Sequence, residues 1–183
     1  MKGLFRFNGG VKPASNKDAS TQQPIASLPL PEVLVIPLHQ NVGGTPRPLV
    51  APGDHVLKGQ RIGTADGNPS TAVHASTSGT VLAVAMRCMP HPSGLDALCI
   101  VLEPDGRDQW IEHHPFDYRT ATLAQTRNYL RDAGIVGIGG ESFPSHLDTL
   151  VINGAESEPF ITCDDMLMRE RAAQILRGTT IMR

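Results

Sequence analysis

The chain has 183 residues, 40% hydrophobic and 19% charged, with a formal net charge of -2, a balance that fits one ordinary domain or two small ones. It contains no basic run and only 4% aromatic residues, which argues against nucleic acid as a partner. No stretch approaches the roughly eighteen consecutive apolar residues of a spanning helix, and the start Met1-Lys-Gly-Leu-Phe-Arg-Phe7 lacks the apolar core of a signal peptide, so a reducing cytoplasm is the expected compartment.

Residues 1–28 are rich in Pro, Ser, Lys, Asn and Gln without helical or strand period, and are expected to form an extended arm that wraps something else. An apolar run from Glu32 to Leu38 opens a series of short β segments, reaching Leu102, separated by Gly, Pro and Asp turns. The stretch Val50–Gly63 points Val56 and Ile62 toward a core and turns at Gly53-Asp54 and Lys58-Gly59; Lys58 is expected to be a solvated charge. Val73–Val84 repeats the arrangement around Ser78-Gly79. Two such hairpins can bury their apolar faces only against each other, as a small flattened barrel.

This barrel resembles the barrel-sandwich hybrid of biotinyl and lipoyl domains. Those carriers hold their cofactor on a lysine between the two halves, whereas Thr64–Val73 contains none. A structural or docking element is therefore expected rather than a covalent carrier.

Arg87–Gly94 reads as a loop, Leu98–Leu102 as a last strand, and Pro104-Asp-Gly-Arg-Asp108 as the closing turn, which puts a boundary between residues 105 and 117. Cys88, Cys99 and Cys163 are widely spaced with no Cys-x-x-Cys, so no iron–sulfur or zinc site is expected; His113-His114 beside Pro115 reads as a solvated loop. Thr122–Ala133 predicts an amphipathic helix with Leu123, Thr126 and Leu130 on one face, Arg127 and Arg131 outside, and Gly134 as its stop. A strand over Thr149–Ile152 follows. A second helix is expected from about Asp164 to Leu176, started by a capping box between Thr162 and Asp165 and ended by Gly178. A helix, one strand and another helix cannot close a core, because a parallel sheet needs more strands covered on both faces.

Between the two helices lies the segment that carries chemistry. Gly137, Gly139 and Gly140 leave backbone amides open to a phosphate or a flat ring, and Phe143-Pro144 offers an apolar wall. The strand then delivers Asn153, Glu156 and Glu158 to one place, where an amide and carboxylates can hydrogen-bond a ribityl chain or a ribose. The glycine spacing is not the usual dinucleotide fingerprint, and a tight helix–strand connection is the plain alternative. The weight comes from the pairing of the two motifs, which together read as a flavin and dinucleotide site.

The motifs together resemble the RnfC family, the C subunit of the Rnf ion-translocating electron transport complex. They are Phe7-Asn-Gly-Gly-Val11 with Asn16-Lys17, Pro37-Leu-His-Gln40, Gly53-Asp-His-Val-Leu-Lys-Gly-Gln60, His74-Ala-Ser-Thr-Ser-Gly-Thr-Val81, Ala133-Gly-Ile-Val-Gly-Ile-Gly-Gly140, Phe143-Pro-Ser-His146 and Ile152-Asn-Gly-Ala-Glu-Ser-Glu-Pro159. The resemblance implies a mixed α+β chain with an arm over 1–28, a barrel-sandwich hybrid over 29–105, and the truncated start of an α/β FMN- and NADH-binding domain over 106–183. It implies a peripheral subunit on the cytoplasmic side of the bacterial inner membrane, in contact with other Rnf subunits and membrane partners. Electrons would pass from NADH through FMN toward 4Fe-4S clusters, whose ligand cysteines this sequence does not contain. By likeness to the NADH-oxidising subunit of complex I, Gly137, Gly139 and Gly140 would lie along FMN, Phe143 near the nicotinamide, Asn153 and Glu156 on the flavin, and Glu158 toward NADH.

The chain departs from the family pattern at several places. Leu147-Asp148 follows His146 where Val-Lys is usual, Glu141-Ser142 replaces Ala-Gly, and Ser157 stands where Cys is frequent. A carboxylate in a loop built for anions opposes phosphate binding. The alternative expectations are accordingly a non-catalytic docking or assembly module, or an inactive truncated product.

Overall fold

In a computed structural model the described residues are 13–41, 43–67, 69–90, 93–136, 152–156 and 158–182. Gly137, Gly139, Gly140 and Phe143, and Thr149–Val151 of the expected strand, lie outside them; Ile152 is irregular. The chain divides into two compact units, Pro29–His146 and Met1–Leu28 with Leu147–Arg183.

The first unit is built from seven strands: β1 (Leu34–Pro37), β2 (Arg47–Pro48), β3 (His55–Val56), β4 (Arg61–Thr64), β5 (Val73–His74), β6 (Gly79–Cys88) and β7 (Asp96–Pro104). They form a four-stranded sheet in the order β1-β7-β6-β3 and a three-stranded sheet in the order β2-β4-β5, with antiparallel pairing throughout. Ile36, Leu38, Val56, Ile62, Val81 and Ile100 meet between the sheets, each at most 7% exposed. The architecture is a barrel-sandwich hybrid. β7 lies between β1 and β6, and its run Cys99–Leu102 is buried.

The pairing differs in one respect from two self-contained hairpins. β3 pairs with β6 (Val56 opposite Gly79) and β4 with β5 (Gly63 opposite Val73), so each segment's strands separate into different sheets. Leu57–Gln60 turns the chain from one sheet to the other, closed by Gln60 N–H to Leu57 O and by Leu57 N–H to Gln60 Oε1. The exchange places Gly79 against β7, where a Cβ would stand 2.1 Å from Glu103 O; only glycine permits that approach.

Lys58 is not a solvated charge. Its Nζ donates to Asp108 Oδ2 at 2.6 Å and lies 4.9 Å from the Trp110 ring centroid. Asp108 also accepts from Thr77 Oγ1, and Asp105 accepts from Ser78 Oγ at 2.7 Å. These bonds staple the turn after β7 to the β5–β6 connection.

Helix α1 (Leu123–Asp132) starts on a full capping box between Thr122 and Gln125. It ends as expected at Gly134, which has φ 68, with Ile135 N–H to Leu130 O and Gly134 N–H to Arg131 O satisfying the last carbonyls. Its expected apolar face is not buried: Leu123 is 60% exposed. The C-terminal turn instead docks through polar groups. Arg131, expected outside, donates Nε to Ser70 O and Nη2 to Gly67 O, while Ala72 N–H donates to Arg131 O. The segment that bears the modified lysine in carrier domains is here the platform for α1.

In the second unit, α2 (Cys163–Glu170) and α3 (Ala172–Met182) replace the single expected helix, separated at Arg171 (φ -128, ψ 23). Gly178 lies inside α3 rather than ending it. None of the described residues of α2 or α3 is buried. The arm residues 13–28 pack in this unit around a short 3-10 turn, Lys17–Ala19.

Candidate functional site

Of the seven residues singled out by sequence, Asn153, Glu156 and Glu158 are described, all within the irregular segment that leads into α2. Gly154 lies beside the end of the Met168 side chain of α2, which a Cβ there would displace. Asn153 is exposed, and its Oδ1 accepts the Ala155 N–H at 3.0 Å, an Asx-type turn that leaves Nδ2 as a donor. Glu158 is exposed as well.

Glu156 is different. Its side chain is only 6% exposed, Oε1 accepts the Asp164 N–H at 2.7 Å, and Oε2 faces Lys17 Nζ at 3.4 Å. Burial alone would raise its pKa, but the Asp164 N–H, the Lys17 ammonium and the Cys163 thiol outweigh burial and hold the carboxyl below its ordinary value. Glu156 is therefore the cap of α2. The expected capping box is absent: Thr162 makes no side-chain cap bond. A carboxylate at a helix N-terminus answers both the open N–H groups and the helix dipole, and Glu156 arrives there from outside the helix, at a spacing that no local motif describes.

Glu156, Cys163 and Asp164 hold potential ligand atoms within 4.8 Å of one another; the cation that faces Glu156 is Lys17's ammonium.

Two features were not legible as site elements in the sequence. Phe160 has a left-handed backbone (φ 66) and is 57% exposed, an unusual state for a bulky residue. Lys17, besides facing Glu156, donates to Ile161 O at 2.8 Å. The exposed Ile152 (54%) brackets the segment at its other end.

The barrel unit has its own open groove of about 690 Å³, lined among others by Lys58, His74, Trp110, His113 and Tyr129. None of the described site candidates lines it. His74, on its wall, has its pKa lowered, chiefly by burial, with Arg61 acting in the same direction and Asp132 opposing.

Comparison with known proteins finds two family matches, whose bounds cross those of the two compact units. Residues 5–107 match the family described as RnfC Barrel sandwich hybrid domain, and residues 130–183 match Nuo51 FMN-binding domain. Similar proteins include the C subunit of the ion-translocating oxidoreductase complex of Edwardsiella ictaluri, 44% identical over 98% of this chain and 24% of the relative. The protein of the same name from Pseudomonas aeruginosa is 45% identical over 100% of this chain and 25% of its own length. That from Haemophilus influenzae strain PittEE is 45% identical over 98% and 29%. The chain thus spans about a quarter of the length of the curated relatives it matches.

Proposed function

Because this chain belongs to the RnfC barrel-sandwich-hybrid family, we propose that it is part of the peripheral RnfC protein of a membrane-bound Rnf-type complex. That protein passes electrons from NADH through FMN toward 4Fe-4S clusters, coupled to ion translocation. It works at the cytoplasmic face of the membrane, against the other Rnf subunits. No helix among the described residues is long and apolar enough to cross a membrane.

The observation that carries the flavin reading is the coincidence, in one segment, of the FMN-binding-domain match and an exposed set suited to a flavin. Asn153 offers an amide donor for a ring or ribityl oxygen. Ile152 and Phe160 offer apolar surface for a flat ring. The donor set fits the group in kind. Glu156 contributes by fixing the segment to α2, since both its oxygens already face donors of the chain. Glu158, exposed on the same segment, is assigned to the NADH side, and Gly137, Gly139, Gly140 and Phe143 to the FMN and nicotinamide contacts.

The chemistry supplied by bound FMN is acceptance of a hydride and release of its two electrons singly, while the protein supplies binding and orientation. The test is recovery of the natural polypeptide from membranes with FMN bound, together with loss of that flavin in Asn153→Ala. A wild-type polypeptide recovered free of flavin in repeated FMN-supplemented preparations counts against the reading.

A second reading, an assembly module, is favoured by one observation. Val35 and Ala83 both lie opposite Val101 in register, so all three share one face of the larger sheet. Val35 is 47% exposed, and Leu82, at the irregularity beside Ala83, is 45% exposed. If this face docks on another subunit, Val35→Asp with Leu82→Asp abolishes co-purification of the complex while leaving the barrel folded; undiminished co-purification counts against it.

A further inference from the structure

The N-terminal arm meets the Asn153–Ile161 segment where its geometry is least ordinary. Phe160 holds a left-handed backbone, a state that persists only where its surroundings fix it. Both of its backbone groups are fixed by the arm: Phe160 N–H donates to Ser15 O at 2.9 Å, and Ser20 Oγ donates to Phe160 O at 2.6 Å. Between these two contacts Asn16 is itself left-handed (φ 48), so the backbone is bent on both sides of the junction. Lys17, the next residue, donates to Ile161 O and faces the nearly buried carboxylate of Glu156. Farther along, Ile25 N–H donates to the Glu170 carboxylate at 2.9 and 3.2 Å.

No packing requirement explains this arrangement, because the Phe160 ring that it orients is mostly exposed. An exposed aromatic held in a strained pose by Ser15 and Ser20, with Lys17 bonded to the next carbonyl, is positioned for something outside the chain. We infer that the arm is a strap that sets the geometry of the flavin segment, with Lys17 as its positioning residue. Lys17 acts through Glu156, the cap of α2, and through the Phe160–Ile161 backbone. Without the ammonium, the Glu156 carboxylate loses its facing cation and the Ile161 carbonyl its donor, and Phe160 is free to leave the left-handed region. This inference rests on the flavin reading for the identity of the ligand, but not for the mechanical coupling.

The test uses the natural polypeptide carrying this sequence, with Lys17→Met, Lys17→Arg and Ser20→Ala. FMN affinity is read by fluorescence titration, and the absorption spectrum and midpoint potential of the flavin are read at saturating FMN, well below the melting temperature. Lys17→Met is expected to weaken FMN binding about tenfold, the effect of removing a charged hydrogen bond, and to shift the spectrum or potential of the saturated protein. Lys17→Arg is expected to recover affinity to within roughly threefold, since it keeps a permanent charge and its donors. Ser20→Ala, which keeps the ion pair, is the variant to read if Lys17→Met does not fold, and it is expected to move the same readouts less.

Hydrogen exchange at Phe160 and Asp164 gives a readout without flavin. If the wild type binds FMN and Lys17→Met has the same affinity, spectrum and potential, the strap is overturned and the flavin reading stands. If the wild type binds no FMN, the flavin reading fails. Exchange then decides the strap alone: faster exchange at those two amides in Lys17→Met supports it, and unchanged exchange overturns it.

Discussion

The guanidinium of Arg131 donates to the backbone carbonyl of Gly67 at 2.6 Å, across 64 positions of sequence. With the bond to Ser70 O, it fixes the last turn of α1 to the segment between β4 and β5. Arg131→Ala removes both bonds and is expected to destabilise the docking of α1 by about 1–3 kcal/mol. Exchange of the α1 amides, measured against those of β6 and β7, checks this: α1 loosens while the barrel strands keep their protection. Equal protection of α1 in both proteins contradicts it.

Gly134, two residues beyond α1, stands under a double constraint. Its φ is 68, and a Cβ would lie 2.7 Å from Ala72 O. Gly134→Ala is therefore expected to cost at least about 1 kcal/mol, read as a lower denaturation midpoint of the barrel unit. An unchanged midpoint would mean that the helix end is not pressed against Ala72.

Much of the barrel was legible in the sequence. Val56, Ile62 and Val81 alternate with turn residues, and a half-buried small sheet leaves little choice about where they face. The exchange of strands between sheets was not legible, because pairing β3 with β6 rather than β4 depends on how Leu57–Gln60 bends in three dimensions. Arg131 and Lys58 were read as solvated for a related reason. Their partners, Gly67, Ser70 and Asp108, are remote in sequence, and surface position is the ordinary expectation for a lone basic residue. In the second unit the capping signal pointed to Thr162 and Asp165, whereas a carboxylate six residues upstream of Thr162 won the helix N-terminus with Lys17 at its side.

Acid titration should act in two steps, the first in the barrel unit and the second in both units. Asp105 is held below its ordinary value of 3.8 first by the Arg107 N–H and then by the Ser78 hydroxyl; Asp108 is held below the same value by Lys58 and then by Thr77. Glu156 is lowered from 4.5, burial opposing and the Asp164 N–H and Lys17 prevailing. Each lowered carboxyl contributes stability that is present above its unfolded pKa and lost as pH falls through the folded one. His74 also has a lowered pKa, from 6.5, with burial as the leading cause. Its neutral form is favoured in the folded barrel, so its contribution is present above pH 6.5 and declines below it.

Chemical denaturation between pH 7.5 and 3 is expected to show a first loss starting below about 6.5, absent in His74→Gln, and a second below about 4.5. In Glu156→Gln the second loss becomes smaller for the arm-containing unit only. A stability profile flat from pH 7.5 to 5 in the wild type contradicts the role given to His74.

The chain has one tryptophan, and it reports on the staple after β7. Trp110 is held by the Lys58 side chain above its ring, while Lys58 N–H donates to Gln109 O and Ile111 N–H to Lys58 O. Lys58→Ala removes the cation and the Asp108 bond, so acrylamide quenching of Trp110 should increase. Quenching identical to wild type would mean that the 108–111 stretch is held without Lys58.

The Asn153–Phe160 segment is proposed to belong to a working flavin site. The most direct measurement is a fluorescence titration of FMN with the natural polypeptide carrying this sequence. Flavin emission is expected to be quenched, saturating with a dissociation constant of about 1 µM or tighter, corresponding to roughly 8 kcal/mol, and weakened by Asn153→Ala. Flavin emission that stays unquenched at protein concentrations far above that value would contradict it.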